Sequence, residues 1–190
     1  WVLREMRTGV NTDYAFVSAF DADSEGIEGK FYVWSEAEID SALGNNAALF
    51  KAAYNVTLDG NWEGGNILNR SHDLEFGPPK YERCLKDSRR SLFDIRARRV
   101  PPQRDDKVLA DWNGLMIAAL VRAATAFSEP AWLTAAETAF RFILAEMTAN
   151  GRLHHSWCGG RASHPAVVED YANMSRAALI LYEATCDPSY

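Results

Sequence analysis

Cysteine is scarce in this sequence and poorly placed for its usual chemistry. The 190 residues hold Cys84, Cys158 and Cys186, odd in number and far apart. With neither a CxxC pair nor a zinc-ligand spacing, the sequence offers no redox motif, no zinc site and no disulfide framework. Reduced thiols in a cytoplasmic protein are the expectation, with no metal and no organic cofactor. Histidine is also rare, at four residues. His72 and His164 fall in expected loops, whereas His154 and His155 adjoin on an expected strand, so only one of that pair faces a given side. No apolar run approaches the length of a membrane span, and no signal peptide is visible. The chain starts on Trp1-Val2-Leu3-Arg4-Glu5-Met6, which reads as the last turns of a helix, so a fragment of a longer protein is expected.

What is abundant is apolar and aromatic, at 47% and 12% of residues. That is enough for a sizeable core and excludes a disordered chain. The net charge of −6 is unevenly spread: residues 80–107 hold ten basic and five acidic residues, while the flanking stretches are acidic. The basic block, from Arg83 and Lys86 to Arg99 and Arg104, is read as the solvent side of a helix with Tyr81, Leu85, Leu92 and Ile95 inside. Without interleaved aromatics or a binding motif, no nucleic-acid partner is expected.

Local patterns predict short strands at 14–20 and 30–34 around an acidic loop, Asp21 to Gly29. Ser35 and Glu38 form a capping box for a helix that Gly44 breaks, and a second helical run covers 46–54. Trp62-Glu63-Gly64-Gly65-Asn66-Ile67-Leu68 reads as a small hairpin or loop. Helices are predicted at 80–98, from about 106 to 127, from Pro130 past Ile143 to Asn150-Gly151, and from Glu169-Asp170 through Cys186, with a loop-bearing hairpin over 151–164. One similarity is internal. Val2-Leu3-Arg4-Glu5-Met6 and Ile143-Leu144-Ala145-Glu146-Met147 each lead into a turn and a strand, which points to stacked equivalent units.

Four polar groups are candidates for chemistry. The stretch Arg104–Leu115 carries Asp105, Asp106, Asp111 and Asn113 where a buried helix begins; capping explains one carboxylate, not three with an inward Asn113. Glu169-Asp170-Tyr171 with Asn173 echoes Asp111-Trp112-Asn113. The other two are Asp21-Ala22-Asp23-Ser24-Glu25-Gly26 with Glu28, whose spacing is not that of a calcium loop, and Trp62-Glu63 in its glycine-rich turn. Carboxylates beside aromatic rings suit sugar chemistry, with one acid, one base or nucleophile, and ring faces for the substrate.

Four segments carry a family resemblance: Asp21–Trp34, Gly60–Leu68, Arg104–Leu120 and Glu169–Ala172. They resemble, in order and across almost the whole chain, the YyaL-like, thioredoxin-domain-containing family, whose eukaryotic members include spermatogenesis-associated proteins. The matching part of that family is similar to the six-hairpin (α/α) toroids of glycosidases and N-acylglucosamine 2-epimerases. The resemblance implies an all-α fold, a partial (α/α)6 toroid with short β-hairpins in its loops, residues 1–190 being a fragment of one such domain. It also implies a covalently linked thioredoxin-like domain elsewhere in the parent protein, a sugar-like ligand and no membrane partner. Asp106 and Asp170 are then the expected catalytic pair, facing one cavity. Asp105, Asp111, Trp112, Asn113, Tyr171, Asp23, Trp62 and His155 are expected substrate contacts. Glycoside hydrolase-like and sugar epimerase-like chemistry both remain open, the rival being a non-catalytic binding module accessory to the redox domain.

Overall fold

The computed structural model describes residues 1–10 and 12–190. The chain runs through α1 (Val2–Glu5), β1 (Arg7–Val10), β2 (Asp13–Phe20), β3 (Asp23–Ser24) and β4 (Ile27–Glu28). Next come α2 (Glu36–Leu43), α3 (Ala47–Tyr54), α4 (Pro79–Arg96), β5 (Arg104–Leu109) and α5 (Ala110–Phe127). It ends with α6 (Pro130–Glu146), β6 (Thr148–Ala149), β7 (Arg152–Cys158), β8 (Arg161–Pro165) and α7 (Val168–Thr185). Two compact units result, one from Trp1–Phe20 with Arg104–Tyr190, the other from Asp21–Gln103. No described helix is long and apolar enough to cross a membrane.

In the first unit, β1, β2, β5, β7 and β6 lie side by side, with β8 on β7, in a six-stranded antiparallel sheet. The expectation of an all-α fold, and with it the partial (α/α)6 toroid, is therefore wrong: the protein mixes helices with a substantial sheet. The decisive element is β5. Arg-Asp-Asp-Lys-Val-Leu has weak strand propensity and looks like an acidic helix start. It is extended because β2 pairs with it on one side and β7 on the other, with Val17 opposite Val108 and Val108 opposite Trp157. The predicted strand at 14–20 and the predicted hairpin over 151–164 thus share one sheet, joined through a segment whose local pattern hides its partners.

The internal similarity appears in the structure as a repeated path. After α1 the Met6 carbonyl accepts from Val17 N at 3.0 Å, and after α6 the Met147 carbonyl accepts from His154 N at 2.8 Å. The strands so fixed, β2 and β7, are the two neighbours of β5. Against this sheet pack α5 and α6, and α7 lies along α5. Val108, Ile117, Val121, Phe142, Ile143 and Leu181 are buried in that core.

Gly114 sets how closely α5 and α7 approach. A Cβ there would stand 2.6 Å from the backbone carbonyl carbon of Asn173, well inside contact distance, and no side-chain rotation relieves a clash with backbone. Gly114→Ala is therefore expected to destabilise the unit by about 1–3 kcal/mol, the usual cost of overpacking, although alanine is the better helix former. A urea midpoint equal to wild type would show that the helices can separate freely.

In the second unit, Ser35 and Glu38 close the predicted capping box: Glu38 N donates to Ser35 Oγ at 3.2 Å and Ser35 N to Glu38 Oε2 at 2.8 Å. Leu85 and Leu92 of α4 are buried with Ile39 and Phe50, and Arg83, Lys86, Arg89 and Arg90 of the basic block are exposed. The predicted strand at 30–34 does not form. Its carbonyls find a guanidinium instead, Arg99 Nη1 donating to Phe31 O at 3.1 Å and Val33 O at 2.7 Å. Trp34 alone bridges, exchanging two backbone bonds with Asn66 at 3.1 and 2.8 Å.

Candidate acid–base site

Two helices of the first unit begin without a side-chain cap of their own, α5 after Leu109 and α7 after Val167. Neither residue has a side-chain acceptor, and the Asp170 carboxylate supplies both. Its Oδ2 accepts from Val167 N at 2.8 Å, closing the start of α7. Its Oδ1 accepts from Asp111 N at 3.0 Å, in the first turn of α5. The side chain is fully buried, so two helix N-termini, each partially positive, converge on one enclosed carboxylate. The close approach at Gly114 is what lets them converge.

The third partner is His155 on β7. Its Nδ1 lies 3.0 Å from both Asp170 oxygens. A carboxylate oxygen accepts, so Nδ1 is the donor of this contact, and the neutral tautomer that makes it has its lone pair on Nε2. No described residue hydrogen-bonds to Nε2, and a third of the His155 side chain is solvent-exposed. Alternation along β7 separates the adjacent histidines: His154 Nδ1 meets the Met147 carbonyl at 3.3 Å instead.

Asp111 completes the group. Ligand atoms of Asp111, His155 and Asp170 lie within 4.8 Å of one another. The Oδ1 of Asp111 is buried and has no hydrogen-bond donor among the described residues. Ligands of a tetrahedral divalent ion sit roughly 3.5 Å apart, given metal–ligand bonds of about 2.1 Å. A metal held by all three would need these atoms closer together and Nδ1 free of any proton.

The other expected site residues are placed as follows. Asp106 is not brought to Asp170: it is exposed on β5 and holds Arg104 at 2.5 Å, whose Nη1 donates to the Glu5 carbonyl at 3.0 Å. The expected Asp106–Asp170 pair in one cavity is thus not assembled. Asp105, also on the strand rather than at a helix entrance, pairs with Lys107 at 2.7 Å. The Lys107 ammonium, hydrogen-bonded to it, holds its carboxyl below the ordinary 3.8. Asn113 is buried and committed to backbone, accepting from Phe16 N at 2.8 Å and donating to Phe16 O and Leu109 O, both at 2.9 Å. Trp112 and Tyr171 are about half exposed, at 52% and 46%, and the Tyr171 hydroxyl oxygen accepts from Leu153 N at 3.3 Å. Asp23 and Trp62 belong to the second unit, where Asp23 stands exposed opposite Glu28 in the β3–β4 ladder.

The chain is similar to spermatogenesis-associated protein 20. Its identity to the human protein is 27%, covering 92% of this chain and 28% of that protein. The mouse protein is also 27% identical, over 97% of this chain and 29% of its own length. An uncharacterized protein of Caenorhabditis elegans, B0495.5, is 26% identical over 94% and 30%. Homology to spermatogenesis-associated protein 20 thus extends along most of the chain, which spans less than a third of the length of these relatives. No family model matches the chain.

The sequence put Asp111 among the substrate contacts and Asp106 in the catalytic pair; the structure sets Asp111 beside Asp170 and Asp106 away from it. The signal was present in the echo of Asp111-Trp112-Asn113 by Asp170-Tyr171 with Asn173, since both acids fall in the first turns of their helices. His155, named among the expected substrate contacts on the resemblance, stands against Asp170, whereas the spacing of the histidines alone did not select it over His154.

Proposed function

We propose that Asp111, His155 and Asp170 form an acid–base centre acting on a hydroxylated, sugar-like small molecule. The observation that carries this reading is the unpartnered Oδ1 of Asp111. A buried carboxylate oxygen without a donor is unfavourable by about 1–3 kcal/mol or more, and a substrate hydroxyl reaching it supplies the missing hydrogen bond. Beside it the Nε2 of His155 is free to take a proton. The buried Asp170 fixes the tautomer and stabilises the imidazolium that forms, the role of an orienting carboxylate behind a histidine base. Trp112 and Tyr171 each follow one of the carboxylates in sequence and expose ring surface suited to the apolar face of a sugar.

This geometry favours sugar epimerase-like proton transfer over glycoside hydrolysis. Hydrolysis asks for two carboxyl groups flanking the scissile bond, and Asp170 is enclosed and fully engaged. A histidine base next to a hydroxyl-binding carboxylate instead suits removal of a carbon-bound proton beside a carbonyl, the electron pair passing to the carbonyl oxygen. A thioredoxin-like domain in the parent protein stays part of the proposal on the resemblance alone, and the proton chemistry does not draw on it.

The test is solvent exchange. The intact protein is incubated in D2O with free hexoses and N-acetylhexosamines, and loss of the proton next to the carbonyl carbon is followed by NMR. Exchange is expected in wild type and a loss of about 100-fold or more in His155→Gln, the scale of one general base, with Asp111→Asn also impaired. Exchange that survives His155→Gln, or no exchange of any sugar in wild type, overturns the reading.

A further inference from the structure

The remaining two polar groups of the sequence, Asp21–Glu28 and Trp62-Glu63, are separated by more than thirty residues and meet in the second unit. Together with Arg98 and Arg99 they line a cleft of about 590 Å³, within the range of small-molecule sites. Each group presents the tip of a tight two-residue turn made of Glu-Gly. Glu25-Gly26 joins the paired residues Ser24 and Ile27, and Glu63-Gly64 joins Trp62 and Gly65. Both glutamates sit in the left-handed region, Glu25 at φ 54° and Glu63 at φ 47°, where such turns normally use Asn, Asp or Gly. Two bulky residues held against that preference on the wall of one cleft are an observation that calls for a function.

The charges in the cleft sort into spent and unspent. Glu25 is paired with Lys30 at 2.8 Å, and Glu38 with Arg99 at 3.0 Å. Arg99 is wholly structural, since it also donates to three carbonyls and lies 4.1 Å from the Trp34 ring. Glu28, Glu63 and Arg98 have no side-chain partner among the described residues. Trp62 is seated against Gly29, where a Cβ would come within 2.6 Å of the indole ring. Two free carboxylates repel an anion, and a free guanidinium repels a cation. Acceptors, a five-donor cation and an aromatic ring together match a neutral molecule with alternating hydroxyls and an apolar face.

From this we infer that the second unit carries a binding cleft of its own for a neutral pyranose. Trp62 packs on the ring, Glu28 and Glu63 accept from its hydroxyls, and Arg98 donates. The inference does not rest on the acid–base reading, and binding here is expected to be unchanged in His155→Gln.

Saturation-transfer NMR on the intact protein with methyl β-D-glucopyranoside, methyl β-D-galactopyranoside and methyl α-D-mannopyranoside tests it. Signal on at least one glycoside is expected, with affinity falling about tenfold in Trp62→Ala and in Glu63→Gly, the scale of one lost charged hydrogen bond or ring contact. Glu63→Gly also separates binding from folding, because glycine is at home at that φ. Its melting temperature is expected to equal or exceed wild type while binding drops. Unchanged binding in Glu63→Gly, no glycoside bound up to about 50 mM, or tighter binding of glucose 6-phosphate than of the neutral glycosides overturns the inference.

Discussion

Asp170→Ala is expected to be the most destabilising single change in the first unit, at about 3–5 kcal/mol, the usual cost of removing one partner from a buried charged network. The reason lies in what the carboxylate leaves behind. It is fully buried and accepts from Val167 N, Asp111 N and His155 Nδ1. Alanine strands two backbone N–H groups at two helix starts, each enclosed and each worth about 1–3 kcal/mol when unpaired, and it removes the anion that both helix dipoles favour. For a chain of this size the melting temperature falls by roughly 2–4 °C per kcal/mol, so a drop on the order of 10 °C is expected. Asp170→Asn is expected to fall between, because its oxygen serves one N–H while its amide nitrogen faces a second donor. His155→Gln, at a third-exposed position outside both helix starts, is expected to cost less than about 1.5 kcal/mol. Thermal melts of the three variants settle the point: an Asp170→Ala protein that melts within a degree of wild type would mean that the helices are not held by this carboxylate.

That ordering shows why the site was only half legible in the sequence. Residues whose partners are near in the chain were readable: the Ser35–Glu38 capping box, the break at Gly44 and the helix led by Pro130, although that helix ends at Glu146, short of the expected stop at Asn150-Gly151. The acids at the starts of α5 and α7 were readable too, through their repeated acid–aromatic pattern. What could not be read was which polar group belongs to which partner across 59 or 97 residues, the separations of Asp111 from Asp170 and of Phe16 from Asn113. The strand β5 failed for the same reason. Its six residues carry no strand signal of their own, and an acidic run before an apolar helix is the usual picture of a cap, so Asp105 and Asp106 were placed on a helix that starts at Ala110. Once that segment is extended, Asp106 turns to Arg104, and the side chains gathered around Asp170 are Asp111 and His155.

Asn113 is where the sequence raised the right question. An amide on the buried stripe of α5 reads as the floor of a pocket, but in the structure it stands in for a β-strand. Its oxygen accepts from Phe16 N and its nitrogen donates to Phe16 O, the pattern of a paired strand neighbour, and the second N–H goes to Leu109 O. Asn66 does the same in the second unit, accepting from Thr57 N and donating to Thr57 O and Trp34 O, so each unit uses one enclosed asparagine to bind a backbone segment. Asn113→Leu keeps the volume and leaves both polar groups of Phe16 without that partner, for an expected loss of about 2–4 kcal/mol. Asn113→Asp is the sharper test, because a carboxylate there would face the carbonyl oxygens of Phe16 and Leu109. Burial and those acceptors disfavour the charged form, so the folded-state pKa of the new acid is raised above its unfolded value. An acid raised in this way destabilises increasingly as pH climbs past the unfolded pKa. Urea unfolding of Asn113→Asp against wild type is therefore expected to show a larger deficit at pH 7 than near pH 4. A deficit that is the same at both pH values would mean that the Asn113 amide does not face those two carbonyls.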